Sequence, residues 1–170
     1  GIFYICGLPA ENRKFQGIIM KVLITGSSGS IGSAVASSLT AKKIPVVGLD
    51  LRDHPDLTGN DYYTYHKCSI TESEKLEKIF AEERPTHVIH MASTFHKIRD
   101  RQLEYQIDVG GSAYILDICN RTSSVKQLVF SSSATIYGAH RDNPEWINET
   151  DPVRPGKYVY GLNEKHIEDL

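Results

Sequence analysis

Apolar positions along this chain follow two alternating rhythms. Val22, Leu23 and Ile24 make a short, partly β-branched run, the mark of a buried strand. Past three glycines, Ile31, Val35 and Leu39 recur every four residues with Ala34 and Ala36 among them, which predicts a helix. Ile44 to Leu49 is a second apolar run, ending at Asp50, and a weak third strand follows a polar, tyrosine-rich loop near Tyr63–His66. Thr71 or Ser73 then caps a short helix with Leu76, Ile79 and Phe80 on its buried face. Pro85 stops the approach to a fourth strand, Thr86 to Ala92. A long helix is predicted from Arg99 to Asn120, with Leu103, Ile107, Gly110, Gly111, Tyr114, Ile115 and Ile118 along one side. Its adjacent glycines weaken it, which implies close approach of the sheet or of a ligand. Lys126 to Ser131 is a fifth strand, and a polar, proline-rich loop through Pro155 leads to a last helix starting near Tyr158.

Strand and helix alternate, so with right-handed crossovers the chain is an α/β protein. The architecture predicted is a doubly wound parallel sheet with helices on both faces, its edge left open after the fifth strand. Residues 1–19 stand outside this pattern. Gly1 to Cys6 is apolar but too short for the core of a secretory signal, and Pro9 follows closely. Met20-Lys21 reads as a natural start placed directly before the first strand. The expectation is therefore an extension over 1–19, non-native or disordered, and one domain over 20–170. An N-terminal arm packing on a partner is the alternative.

Length and charge narrow the classes. At 170 residues the chain suits one domain, and its net charge of −2 offers no basic footprint for nucleic acid or an anionic membrane. No apolar run reaches the roughly 18 residues needed to span a bilayer. Cys6, Cys68 and Cys119 are scattered without a CxxC spacing, which suggests a reducing compartment and no structural metal. A soluble, cytoplasmic protein is expected. His87 and His90, three apart on a strand, point to opposite faces and read as structural rather than as metal ligands.

The chemistry concentrates at Gly26, Gly29 and Gly32, between the first strand and first helix. A helix N-terminus there offers unpaired N–H groups and a positive dipole end to a phosphate. The glycines permit positive φ and remove Cβ atoms that would block a pyrophosphate. Asp50 lies 18 residues past Gly32, about where a dinucleotide fold places the acid that bonds ribose hydroxyls. A carboxylate repels a 2′-phosphate, so NAD is favoured over NADP, although Arg52 nearby tolerates a phosphate. The competing reading of Asp50 is a strand-ending turn residue.

Four blocks in order, TGSSGSIG at 25–32, VIHMAS at 88–93, LVFSSSATIYG at 128–138 and a YG-containing helix at 160–168, closely resemble the extended short-chain dehydrogenase/reductase superfamily. Within it they resemble the NAD-dependent epimerase/dehydratases. The resemblance covers essentially everything from Met20 onward. It implies a Rossmann-type fold, NAD at the glycine turn, a nucleotide-sugar substrate and hydride transfer from a sugar carbon to nicotinamide. Carried over by position, Gly26, Ser28, Gly29, Ser30, Ile31 and Gly32 border the pyrophosphate, and Asp50 and Leu51 the adenosine ribose. Ser69 and Ile70 lie by the adenine, Met91, Ala92 and Ser93 line the cofactor's middle, and Asp108 and Ser131 complete its site. Ser133 matches the hydroxyl that polarises the reacting sugar oxygen, and Tyr160 matches the catalytic tyrosine; Tyr137 is expected only to pack. Removing hydride requires removal of the hydroxyl proton, so a base must lie within reach, and a free phenol near pKa 10 is too weakly acidic to serve unaided. The long helix resembles the family's dimer helix, so a homodimer is implied by analogy.

The sequence also departs from that pattern. The family's lysine, four residues past the tyrosine, is Glu164 here. Lys165 follows, but i+5 is rotated about 140° from the tyrosine against about 40° for i+4. Glu164 raises the tyrosine pKa rather than lowering it. Asp108 replaces an asparagine, and Ser69 an aspartate. From Met20 onward the chain is about half as long as such enzymes, so a fragment, inactive alone, is expected. A non-catalytic NAD(P)-binding protein of the same fold and a reductase of a non-sugar carbonyl are the alternatives.

Overall fold

The first apolar run forms the strand at the centre of the sheet. The computed structural model describes residues 3–7, 20–53, 57–94 and 99–170. Its strands are β1 (Phe3–Gly7), β2 (Val22–Thr25), β3 (Val46–Asp50), β4 (Tyr63–Lys67), β5 (His87–His90) and β6 (Gln127–Ser131). Its helices are α1 (Ser30–Ala41), α2 (Ser73–Glu83), α3 (Arg101–Tyr105), α4 (Gly111–Arg121) and α5 (Val159–Glu168). The sheet order is β1-β6-β5-β2-β3-β4, and β2 through β6 run parallel.

The period of two along the strands sends alternate residues to opposite faces. Leu23, Val47, Leu49 and Val88 pack with Leu76 and Phe80 of α2 and Ile115 and Ile118 of α4. Val22, Ile24 and Val46 pack with Ala36 of α1 on the other face. All of these side chains are essentially removed from water, which supplies the main drive for the fold. The doubly wound architecture expected from the alternation is present. Successive strands run outward from β2 through β3 to β4, and the chain then returns to β5 on the opposite side of β2. That reversal opens a crevice at the carboxyl ends of β2 and β5, where α/β sheets bind ligands.

Four expectations differ from what is found. The sheet edge beyond β6 is covered: β1 pairs antiparallel along all five of its residues, from Phe3 opposite Ser131 to Gly7 opposite Gln127. An open edge presents unpaired N–H and C=O groups that any extended segment can satisfy, and such long-range pairing leaves no local signal. Residues 8–19 lie outside the described residues.

The long helix is not continuous. A π-helical turn, Gln106–Gly110, separates α3 from α4. Leu103 still shares a cavity with Ile107, Gly110, Gly111 and Tyr114, but it is exposed there rather than buried with Ile115 and Ile118. Of the paired glycines, Gly111 sits against Ile70, whose Cδ1 would lie 2.6 Å from an added Cβ, whereas Gly110 faces open space. Neither Thr71 nor Ser73 caps α2; its N-cap is Glu72 and has no side-chain cap bond. The fourth strand is shorter than predicted: Met91 N–H still reaches the Thr25 carbonyl at 3.1 Å, and Ala92 turns its N–H to the Thr25 hydroxyl at 3.3 Å.

Candidate active site

The glycine turn is built largely from backbone contacts. Gly26 has φ +71°, and a Cβ there would lie 2.8 Å from Met91 and Ala92 backbone atoms. A Cβ on Gly32 would lie 2.1 Å from the Gly26 carbonyl oxygen. The fold itself therefore requires both glycines. Gly29 differs, since its Cβ would meet the Gly26 oxygen at 3.2 Å and beyond that only the end of Arg52 at 4.0 Å. Gly29 is the N-cap of α1 without a side-chain cap bond, and the first turn holds no acid. The first N–H groups of a twelve-residue helix thus face a space that a side chain would fill, an arrangement suited to a phosphate. Ser30 and Ile31 are exposed on the rim.

Asp50 stands at the end of β3 beside this turn. Its Oδ2 accepts from the Ser28 N–H at 2.9 Å and its Oδ1 from the Arg52 N–H at 2.9 Å. Each oxygen retains acceptor capacity for a ribose hydroxyl. The Arg52 guanidinium reaches the Ser28 carbonyl at 3.3 Å, and the Ser28 hydroxyl donates to the Arg52 carbonyl at 2.6 Å. Leu51 is exposed. Ser69 donates its N–H to Glu72 at 2.6 Å and shares a hydrogen bond with Thr71. Ile70 is buried against Gly111 and borders a cavity of about 440 Å³ that reaches Leu103 and Gln106.

The segment after β5 meets the second half of the chain. Met91 and Ala92 line the turn from above, and Ser93 is exposed. Asp108, almost fully buried in the π-helical turn, accepts from the Thr94 N–H and the Thr94 hydroxyl, each at 2.7 Å. The Asn163 side-chain amide, from α5, reaches it at 3.4 Å. Asp108 thereby ties three elements together. Ser131 donates to the His90 carbonyl at 3.3 Å. His90 lies buried between the Thr25 hydroxyl at 2.6 Å and the Ser112 hydroxyl at 3.0 Å. Burial holds its imidazole down at a pKa of about 3, so it is neutral. His87 bonds Thr86 instead, and no metal-binding cluster occurs among the described residues.

Ser133 caps a 3₁₀ turn, Ala134–Tyr137, and accepts from the Thr135 N–H at 3.3 Å and the Thr135 hydroxyl at 3.0 Å. Gly161 lets α5 approach this turn, since a Cβ there would lie 2.8 Å from the Thr135 carbonyl oxygen. The neighbouring Tyr160 is half-buried, with Ser93 and Glu164 close enough to act on its hydroxyl. Its phenol is pushed well above its ordinary pKa, first by burial and then by the Glu164 and Asp108 charges. Glu164 is 4% exposed, and burial raises its carboxyl to about 7. Burial acts there together with the Asp108 and Glu168 charges, and the Tyr160 hydroxyl opposes them. Its Oε2 has no hydrogen-bond partner among the described residues. Lys165 is turned away and pairs with Asp169 at 2.5 Å. Tyr137 is buried, as a packing residue should be.

The turn, Asp50 and the residues after β5 thus converge on one side of the crevice, with Ser133 and Tyr160 on the segments that follow. Sequence reasoning missed Thr25, Thr94 and Asn163, which position this site. Only Asn163 left a trace, as a polar residue on the inward side of the last helix.

The sequence matches the profile of the NAD dependent epimerase/dehydratase family over residues 22–169. It is 32% identical over 164 residues to UDP-glucose 4-epimerase of Neisseria meningitidis serogroup C, covering 88% of this chain and 47% of that one. It is 30% identical over 175 residues to UDP-glucose 4-epimerase 2 of Oryza sativa subsp. japonica, covering 95% and 42%. Among solved structures, the Bordetella bronchiseptica enzyme WbmG in complex with NAD and UDP superposes with a TM-score of 0.79 at 25% identity, covering 88% and 48%. The chain spans about half the length of the curated relatives it matches.

Proposed function

The chain belongs to the NAD-dependent epimerase/dehydratase family, and from that we propose that it is the NAD-binding part of an oxidoreductase acting on a nucleotide-sugar. The observation that carries this reading is the uncapped N-terminus of α1 over Gly29, with the Asp50 carboxylate beside it at the strand-reversal crevice. The residues present fit the dinucleotide. The α1 N–H groups would hold its pyrophosphate, Asp50 its adenosine ribose, and Met91 to Ser93 its middle. Bound there, NAD supplies the acceptor for the sugar's hydride. Ser133 fixes the reacting sugar oxygen by hydrogen bonding, and Tyr160 takes its proton. The negative charge of Asp50 disfavours a 2′-phosphate, so NAD is selected over NADP. Homodimerisation through the α3–α4 segment and a cytoplasmic location complete the proposal, on analogy alone.

A non-catalytic NAD-binding role is the second reading, favoured by Glu164, whose charge opposes ionisation of Tyr160. Titration of the chain with NADH, followed by incubation of the protein at the full length of its relatives with NAD and UDP-glucose, separates the two. Binding with reduction of the nicotinamide supports the oxidoreductase. Binding without reduction supports the second reading, and no binding removes both.

A further inference from the structure

We propose that Glu164 is a positioning residue that accepts the Tyr160 phenol proton, so that the substrate's hydroxyl proton passes through Tyr160 to a buried carboxylate. This rests on the oxidoreductase reading above. Tyr160 and Glu164 stand four residues apart on α5, hence on one face, and each acts on the ionisation of the other. Glu164 is 4% exposed, and its Oε2 lacks a partner among the described residues. A buried carboxyl with an unmet oxygen costs stability, so packing does not account for it. The groups facing it are Tyr160 and Glu168 from its own helix and Asp108 from the π-helical turn. The adjacent cation, Lys165, is paired with Asp169. The phenol, held above its ordinary range, does not ionise alone near neutral pH, whereas the carboxyl titrates there.

The step balances. The substrate O–H bond breaks and its proton goes to the Tyr160 oxygen, while the Tyr160 O–H bond breaks and that proton goes to the Glu164 carboxylate. The carbonyl forms as the C–H electron pair leaves with the hydride to the oxidised nicotinamide. In the reducing direction, protonated Glu164 returns the proton along the same path.

The test uses the whole chain loaded with NAD and labelled with ¹³C at Glu Cδ and Tyr Cζ. The Glu164 carboxyl signal is expected to titrate near 7, with the Tyr160 signal moving at the same midpoint. Glu164→Gln abolishes both movements, and Glu164→Asp keeps a coupled step. With UDP-glucose and the protein at the full length of its relatives, single-turnover nicotinamide reduction should show a limb at that midpoint. Glu164→Gln should remove the limb and slow reduction about 100-fold, with Glu164→Asp within about tenfold of the parent. A Tyr160 signal that stays flat across this range, or a Glu164→Gln rate with the parent's size and limb, overturns the relay alone. NAD binding with no reduction by that full-length parent at any pH overturns the relay and the oxidoreductase reading but not the cofactor site. Failure to bind NAD overturns all three.

Discussion

The two halves of the crevice are built on opposite principles. At the β2–α1 turn, backbone groups do the work: glycines let strand, turn and helix touch, and the helix end is left positive and uncapped. At the junction of α5 with the π-helical turn, side chains do it, and the local field is negative. Asp108 and Glu164 are buried there within reach of Tyr160, with Glu168 adding its charge. The first half offers an uncapped helix end to an anion. The second confines charge at the expense of stability, which is how a proton-handling site differs from a binding cradle.

The sharpest way to break the first half is at its backbone contacts. Gly32→Ala puts a Cβ 2.1 Å from the Gly26 oxygen, and should cost more than about 3 kcal/mol by urea unfolding. The second half should show itself in the pH dependence of stability. Glu164 titrates near 7 in the folded chain against 4.5 unfolded. The native state therefore binds more protons in that window, and stability falls as pH rises from 4.5 to 7. The loss is up to about 3 kcal/mol, and Glu164→Gln should remove it. His90 acts oppositely, being held near 3 against 6.5. Its stabilisation is complete above 6.5 and is lost as pH falls toward 3, so the acid-side decline should steepen in Glu164→Gln.

Gly29→Ala sharpens the contrast between glycines. With only a 3.2 Å contact to relieve, it should cost about 1 kcal/mol or less. It should also weaken NADH binding at least about tenfold, because the methyl occupies the anion's place. The smallest effect is expected at Tyr160, in the order of its ionisation followed by near-ultraviolet absorption. Glu164→Lys should ionise at the lowest pH, Glu164→Gln next, and the parent last. An unchanged order would mean that Glu164 does not govern the phenol.

What could be read from the sequence follows this same division. β2, β3 and β5 are short apolar runs, and the α1 and α2 periodicities are local, so the sheet, its two faces and the glycine turn were legible. So were Asp50, from its distance to the turn, and the Glu164 departure, from the tyrosine count. The π-helical turn was not, because one added residue in a helix changes no composition and only shifts the phase. The covering strand β1 and the Asp108–Thr94–Asn163 tie were hidden for another reason: each joins residues far apart in the chain, and polar partners carry no periodicity.

The central claim is that the β2–α1 turn with Asp50 holds NAD. Calorimetric titration of the chain with NADH and NADPH tests it most directly. One NADH should bind per chain, at least about tenfold more tightly than NADPH, since Asp50 accepts from ribose hydroxyls and repels a 2′-phosphate. Tighter binding of NADPH, or no binding of either, would contradict it.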